Sequence, residues 1–91
     1  MSDFPFTEKK IKKNVFLREF KETVKSEELV WHQDREDRIV KVIKSDGWRL
    51  QIDNQLPVTL QEGNKYYISA YEFHRIIKGS GKLVVEITKK R

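Results

Sequence analysis

The pattern of apolar and polar positions changes character at Ser26-Glu27-Glu28. Upstream, residues 1–13 are polar apart from two phenylalanines and read as an irregular arm. From Asn14 to Val24, the apolar residues Val15, Phe16, Leu17, Phe20 and Val24 leave the period open. Phe16, Phe20 and Val24 step by four, which favours a short helix, whereas Phe16-Leu17 with the arm fits an edge strand equally well.

Downstream, the pattern is that of strands. Leu29-Val30-Trp31 is a short apolar run, and Ile39-Val40-Lys41-Val42-Ile43 is β-branched and ends at Ser45-Asp46-Gly47. The Asp-Gly pair predicts a hairpin. Trp48, Leu50 and Ile52 alternate with Arg49, Gln51 and Asp53, one set inward and the other in water. Pro57-Val58-Thr59-Leu60, Tyr66-Tyr67-Ile68 and Phe73 to Ile77 continue the series, divided by turns at Asp53-Asn54, Glu62-Gly63-Asn64 and Ser69-Ala70-Tyr71-Glu72. Gly79-Ser80-Gly81 leads into Leu83-Val84-Val85-Glu86-Ile87. Seven short strands with closely spaced turns predict an all-β antiparallel barrel or sandwich over residues 28–91, with residues 1–27 as an arm and short helix.

Composition narrows the picture. Ninety-one residues make one domain near the small end of what folds unaided. The absence of cysteine excludes disulfides, thiolate ligands and a thiol nucleophile, and fits a reducing cytoplasm, the expected location. No apolar run approaches the roughly 20 residues of a membrane span, so no membrane partner is expected. The net charge of +5 invites a nucleic-acid reading. Much of that excess lies in Lys9, Lys10, Lys12 and Lys13 and in Lys89, Lys90 and Arg91, which read as solvated tails. Between them, Arg35, Arg38, Lys41 and Lys44 mix with Glu36 and Asp37 rather than forming a phosphate-binding stripe. Nucleic acid is therefore a disfavoured partner.

The run from Gly63 to His74 resembles the second sequence motif of the cupins. That motif has a glycine, a later proline, a further glycine and a metal-binding histidine. Gly63 and His74 hold the expected separation, while Ser69 stands where proline is usual and Tyr71 where glycine is usual. Against the first cupin motif, His32 and Asp34 match the paired histidines, Arg38 falls at the glutamate, and Ser45 at the glycine, with Gly47 two residues later. Residues 28–88 are similar to small single-domain cupin-like proteins often encoded by bacteriophages. The resemblance implies a short jelly-roll barrel and commonly a homodimer, for which Phe4, Phe6, Phe16 and Phe20 would offer exposed apolar surface.

The resemblance also implies a metal site, usually of three imidazoles and one carboxylate. Here His32, Asp34 and His74 remain, because the guanidinium of Arg38 cannot ligate a cation. Two imidazoles and one carboxylate form a complete facial set for iron(II), with open positions, and suit zinc as well; manganese and nickel are further candidates. The His-x-Asp spacing puts His32 and Asp34 on one face of a strand, and His74 comes from another. The chain's two histidines are both at motif positions. The alternative is that Asp34 pairs with Arg38 and the histidines line an ordinary pocket.

Other side chains suit a small-molecule ligand. Arg38 and Arg75, with Lys78 and Arg49, could hold a phosphate or carboxylate at the barrel mouth. Trp48 and Trp31 could stack on a sugar or base, although large aromatic residues more often fill a core. Gln51 completes the ligand-binding set. The classes left open are a metal-binding cupin, a metal-free small-ligand module, and a nucleic-acid or protein-interaction domain using its basic ends. No reaction is named by the sequence.

Overall fold

The computed structural model describes residues 4–90. Eight strands run in order: β1 (Thr7–Lys12), β2 (Val15–Phe20), β3 (Asp37–Lys44), β4 (Arg49–Ile52), β5 (Val58–Thr59), β6 (Lys65–Ile68), β7 (His74–Ile77) and β8 (Leu83–Lys90). They form two antiparallel sheets, a five-stranded one ordered β1-β2-β8-β3-β6 and a three-stranded one ordered β5-β4-β7. The all-β expectation holds.

The short helix before Ser26 is not present. Residues 15–20 are β2, which pairs with β8 from Val15↔Thr88 to Phe20↔Leu83. A step of four is an even number, so it puts Phe16 and Phe20 on one face of a strand as readily as on one face of a helix. The residue that separates the two cases is Arg18, which sits between them on the inner face opposite Val85. A single 3-10 turn, Ser26–Glu28, is the only helical element among the described residues.

Lys9, Lys10, Lys12, Lys89 and Lys90 are strand residues rather than tails, and Lys13 lies in the turn after β1. Lys9, Lys10 and Lys12 lie on β1, the outer strand of the larger sheet, and are exposed. Charged side chains on an edge strand disfavour pairing with another molecule's edge. Lys89 and Lys90 pair with Arg38 and Asp37 on β3, while Arg91 lies outside the described residues. Of the four phenylalanines expected to be exposed, Phe20 is buried, Phe6 and Phe16 are half-buried, and Phe4 alone is exposed. Phe6 reaches inward because its ring meets Phe20 at 5.3 Å.

The Asp46-Gly47 turn is not a hairpin. β3 pairs with β6 and β8, whereas β4 belongs to the other sheet, so residues 45–48 carry the chain from one sheet to the other. A register shift between Val42 and Lys44 starts that departure, the usual work of a β-bulge at a corner. Gly79 packs directly on the backbone of Asp46, Gly47 and Trp48, where a Cβ would have no room. Ser80 completes the corner, its N–H donating to the Asp46 carbonyl and its carbonyl accepting from the Trp48 indole N–H at 3.1 Å.

That corner caps the filled end of the interior. Trp48, Leu83 and Val42 are fully enclosed, with Phe20, Val24, Leu50, Leu60 and Val85 around them. The Phe20 and Trp48 rings lie 6.0 Å apart. Each such side chain taken from water contributes about 1.5–3 kcal/mol, so this cluster carries much of the fold.

Candidate metal centre

His74 opens β7, opposite Ile52 on β4, with its side chain inward. His32 belongs to no strand but forms an isolated antiparallel bridge with His74. Each backbone N–H donates to the other's carbonyl, at 3.0 and 2.9 Å. A directly opposed pair projects its side chains to the same side of the ladder. Hence residues 42 positions apart have ring centroids at 4.3 Å.

The expected strand over Leu29-Val30-Trp31 is absent, and Val30 is exposed rather than buried beside His32. The Val30 carbonyl turns instead to the His32 ring, accepting from Nδ1–H at 3.1 Å. The Glu72 carbonyl accepts from Nδ1–H of His74 at 2.8 Å in the same way. A carbonyl can only accept, so both rings carry their proton on Nδ1. Both Nε2 atoms are then the free electron pairs of the neutral rings. Such outer contacts commonly orient metal-binding histidines.

Asp34 completes the group. Its backbone carbonyl accepts from the Tyr71 N–H at 2.7 Å, tying it to the turn before His74. Tyr71 has a φ of 64°, a left-handed conformation that L residues adopt at a cost. This explains why glycine is usual at this point of the motif, and Tyr71 holds the same backbone at a cost. Asp37 and Glu72 brace the same turn by accepting from the N–H groups of Ala70 and Ser69.

The Asp34 carboxylate is divided between two neighbours. Oδ1 faces Arg38 Nη2 at 3.3 Å, and Oδ2 faces His74 Nε2 at 3.3 Å. Arg38 is held in turn by Glu36, which accepts from its Nε at 3.3 Å. With the His74 proton on Nδ1, the Oδ2–Nε2 contact sets one electron pair against another, and Oδ2 is a buried oxygen without a hydrogen bond. The contact becomes favourable when a cation stands between the atoms. One donor atom from each of His32, Asp34 and His74 lies within 4.8 Å of the others.

Charge and burial tune the group. Burial lowers the His32 pKa, against the hydrogen bond from its ring to Val30 and with the nearby charge of His74. Burial pushes the Asp34 carboxyl up, but the neighbouring His74 ring and the charge of Arg38 outweigh it, leaving the pKa below its ordinary value.

Beside the three donors lies a cavity of about 890 Å³. Its floor is the inner face of the larger sheet, including Phe20, Val40, Leu83, Val85 and Ile87, and Ile76 contributes from the smaller sheet. Arg38 lines it; Arg75, Gln51 and Trp48 do not. Strand alternation explains the first two. His74 and Ile76 face inward, so Arg75 and its register partner Gln51 face outward, where Arg75 Nε donates to Gln51 Oε1 at 2.9 Å and its guanidinium covers Trp31. Trp48 has no exposed surface and belongs to the core.

Sequence reasoning missed Glu8, Arg18 and Lys89, which also line the cavity. Arg18 Nη2 meets Glu8 Oε1 at 2.6 Å, and its guanidinium lies 3.8 Å from the Phe6 ring centre. Burial lowers the Arg18 pKa, opposed by the hydrogen bond and charge of Glu8. The alternation Phe16-Arg18-Phe20 carried the signal, once read as a strand with an inward arginine.

Comparison with solved structures finds the same fold in other proteins. A cupin domain from Bordetella pertussis aligns with 94% of this chain and 92% of its own, at TM-score 0.63 and 21% identity. A cupin-2 domain containing protein from Shewanella frigidimarina aligns with 100% of this chain and 84% of its own, at TM-score 0.62 and 18% identity. The fold is cupin-like. The same fold forms part of longer chains: this chain spans 37% of a DMSP lyase structure (TM-score 0.71, 13% identity) and covers 85% of itself in doing so. It spans 41% of an iron(II) form of HppE, at TM-score 0.67 and 10% identity. No protein-family model matches the sequence, and a search of curated proteins finds no match. No helix among the described residues is long and apolar enough to cross a membrane.

Proposed function

We propose that this chain binds one divalent cation through Nε2 of His32, Nε2 of His74 and Oδ2 of Asp34, beside a pocket for a small molecule. The observation that carries the reading is the buried Asp34 Oδ2 aimed at the unprotonated face of His74. A cation removes the conflict between those two electron pairs, and the Nδ1 hydrogen bonds of both rings leave Nε2 free to donate to it. The nitrogen-rich set without thiolate suits iron(II), manganese, nickel or zinc, and the iron(II) of the similarly folded HppE favours iron as the resident ion.

When bound, the ion supplies Lewis acidity to a ligand oxygen at its open positions. The protein's own groups do the rest. The guanidinium of Arg38 holds Oδ1, which turns Oδ2 toward the histidines and keeps the carboxylate ionised. The 69–72 turn fixes the spacing between Asp34 and His74. The apolar floor keeps water from the inner side of the site, where electrostatic interactions gain strength.

Elemental analysis of protein purified without a metal-affinity tag tests the proposal. One equivalent of transition metal per chain is expected, absent from Asp34→Asn. Metal-free protein that takes up no iron, zinc, manganese or nickel on titration would leave a metal-free ligand module.

A further inference from the structure

The cavity of about 890 Å³ has the size of a small-molecule pocket, roughly 300–1,000 Å³. Its wall on the larger sheet is apolar: Leu83, Val85 and Ile87 alternate along β8, flanked by Phe20 on β2 and Val40 on β3. Phe6 extends that wall with its ring 5.3 Å from Phe20, and Phe4 stacks on Phe6 at 5.3 Å. Both phenylalanines precede Thr7, where the β1–β2 ladder starts, so the arm covers one side of the hollow with aromatic rings.

The charges around this wall cancel. Among the described residues three cations, Arg18, Arg38 and Lys89, and three carboxylates, Glu8, Glu28 and Asp34, line the cavity. Four of the six close on each other: Arg18 Nη2 meets Glu8 Oε1 at 2.6 Å, and Arg38 Nη2 meets Asp34 Oδ1 at 3.3 Å. Glu36, outside the lining, engages Arg38 as well. The remaining two are opposite in sign: Lys89 sits over the Phe16 ring at 4.5 Å, and Glu28 is exposed on the Ser26–Glu28 turn. A charged head entering this hollow gives up its hydration and meets groups that are already matched. Burying an ion without a partner of its own costs far more than burying a hydroxyl or a carbonyl.

We propose that the cavity takes an uncharged, largely apolar molecule carrying a hydroxyl or carbonyl oxygen, with its body along the Phe20–Ile87 wall and its oxygen at the His32–Asp34–His74 end. This rests on the reading of the cavity as a ligand pocket and extends it to a ligand class. The polar end follows from Asp34 Oδ2, a buried acceptor without a hydrogen bond, which a hydroxyl satisfies in the metal-free chain. With the cation bound, the same neutral oxygen suits an open coordination position.

The test is a titration of the chelator-treated full chain with butanol, hexanol, octanol, octanoate and octylammonium, followed by calorimetry and amide NMR shifts. Affinity is expected to rise about fourfold per methylene through the alcohols, with octanoate and octylammonium each at least about tenfold weaker than octanol. The shifts are expected at Val40, Ile76, Val85 and Ile87. Glu8→Gln takes the partner from Arg18 and is expected to strengthen octanoate about tenfold or more. A flat alcohol series, or shifts confined to another face, overturns the apolar body. Octanoate or octylammonium binding as tightly as octanol overturns the uncharged class, and octanoate unmoved in a folded Glu8→Gln chain overturns the matched charges on which that class stands. Zinc uptake, measured on a parallel sample, separates this inference from the metal proposal: the expected series without zinc uptake sinks only the metal, and zinc uptake with a flat series sinks only the ligand class.

Discussion

Trp48, which leads into β4, and His74, which opens β7, face the same interior and are almost equally buried. Around Trp48 the sheets close on each other. The indole N–H is satisfied by the Ser80 carbonyl, and Leu83, Leu50 and Phe20 fill the space. Around His74 the same sheets stay apart, leaving a hollow lined by Arg38, Asp34 and His32, with one buried carboxylate oxygen unsatisfied. One end of the barrel is built to hold the fold, and the other to hold something else. In a protein this small the filled end must carry the stability for both, because a pocket removes core that the chain has little of.

That division has a measurable consequence at the filled end. Trp48→Ala is expected to cost about 3–5 kcal/mol, enough to leave the chain largely unfolded, read by urea denaturation. Gly79→Ala, which puts a Cβ against the backbone of Asp46 and Trp48, is expected to cost about 1–3 kcal/mol as an overpacking change. If both variants melt like the parent, the corner is not what closes the barrel.

At the hollow end the expectation reverses. His74→Ala and Asp34→Asn are expected to weaken zinc binding at least 100-fold, beyond the roughly 10–100-fold of an outer-contact change, while shifting the melting point of the metal-free protein by only a few degrees. Equal damage to fold and binding would merge the two ends into one.

Much of this arrangement was legible in the residues. The alternation Trp48-Leu50-Ile52 placed β4, and the motif spacing that matched His32, Asp34 and His74 named three side chains that the fold brings within 4.8 Å of one another. What was not legible depended on pairing partners far along the chain. The step from Phe16 to Phe20 fits two periods, and only the ladder with β8 decides between them. Asp46-Gly47 announces a reversal but not whether the next strand joins the same sheet. Arg75 and Gln51 are polar residues beside a site histidine, yet their parity along β7 and β4 turns them to solvent. His32 itself lies on no strand; its position comes from a bridge to His74 that local sequence does not encode.

Two smaller effects sharpen the comparison. Tyr71 has an exposed side chain and a left-handed backbone, so Tyr71→Gly should relieve strain of about 1 kcal/mol and raise the melting temperature. A loss of stability instead would show that the tyrosine ring supports the turn. The pH response is the smallest effect expected in the metal-free protein. The native His32 pKa lies below its ordinary 6.5, so the unfolded chain takes the proton first and stability declines as pH falls through about 6.5 toward the native value. The native Asp34 pKa lies below 3.8, so its contribution is intact above that value and is lost only as pH falls through the lower one. Metal binding follows the same direction, because protons and cation compete for the same electron pairs. A melting temperature that rises between pH 7.5 and 5.5 would contradict the sign.

The shared site itself is tested most directly by long-range proton–nitrogen NMR of the two imidazoles during zinc titration at pH 7.5. The account predicts that Nδ1 stays protonated in both rings, and that both Nε2 signals move together and saturate at one zinc per chain. Zinc that moves only one ring, or that binds through Nδ1, would contradict a common centre formed by His32, Asp34 and His74.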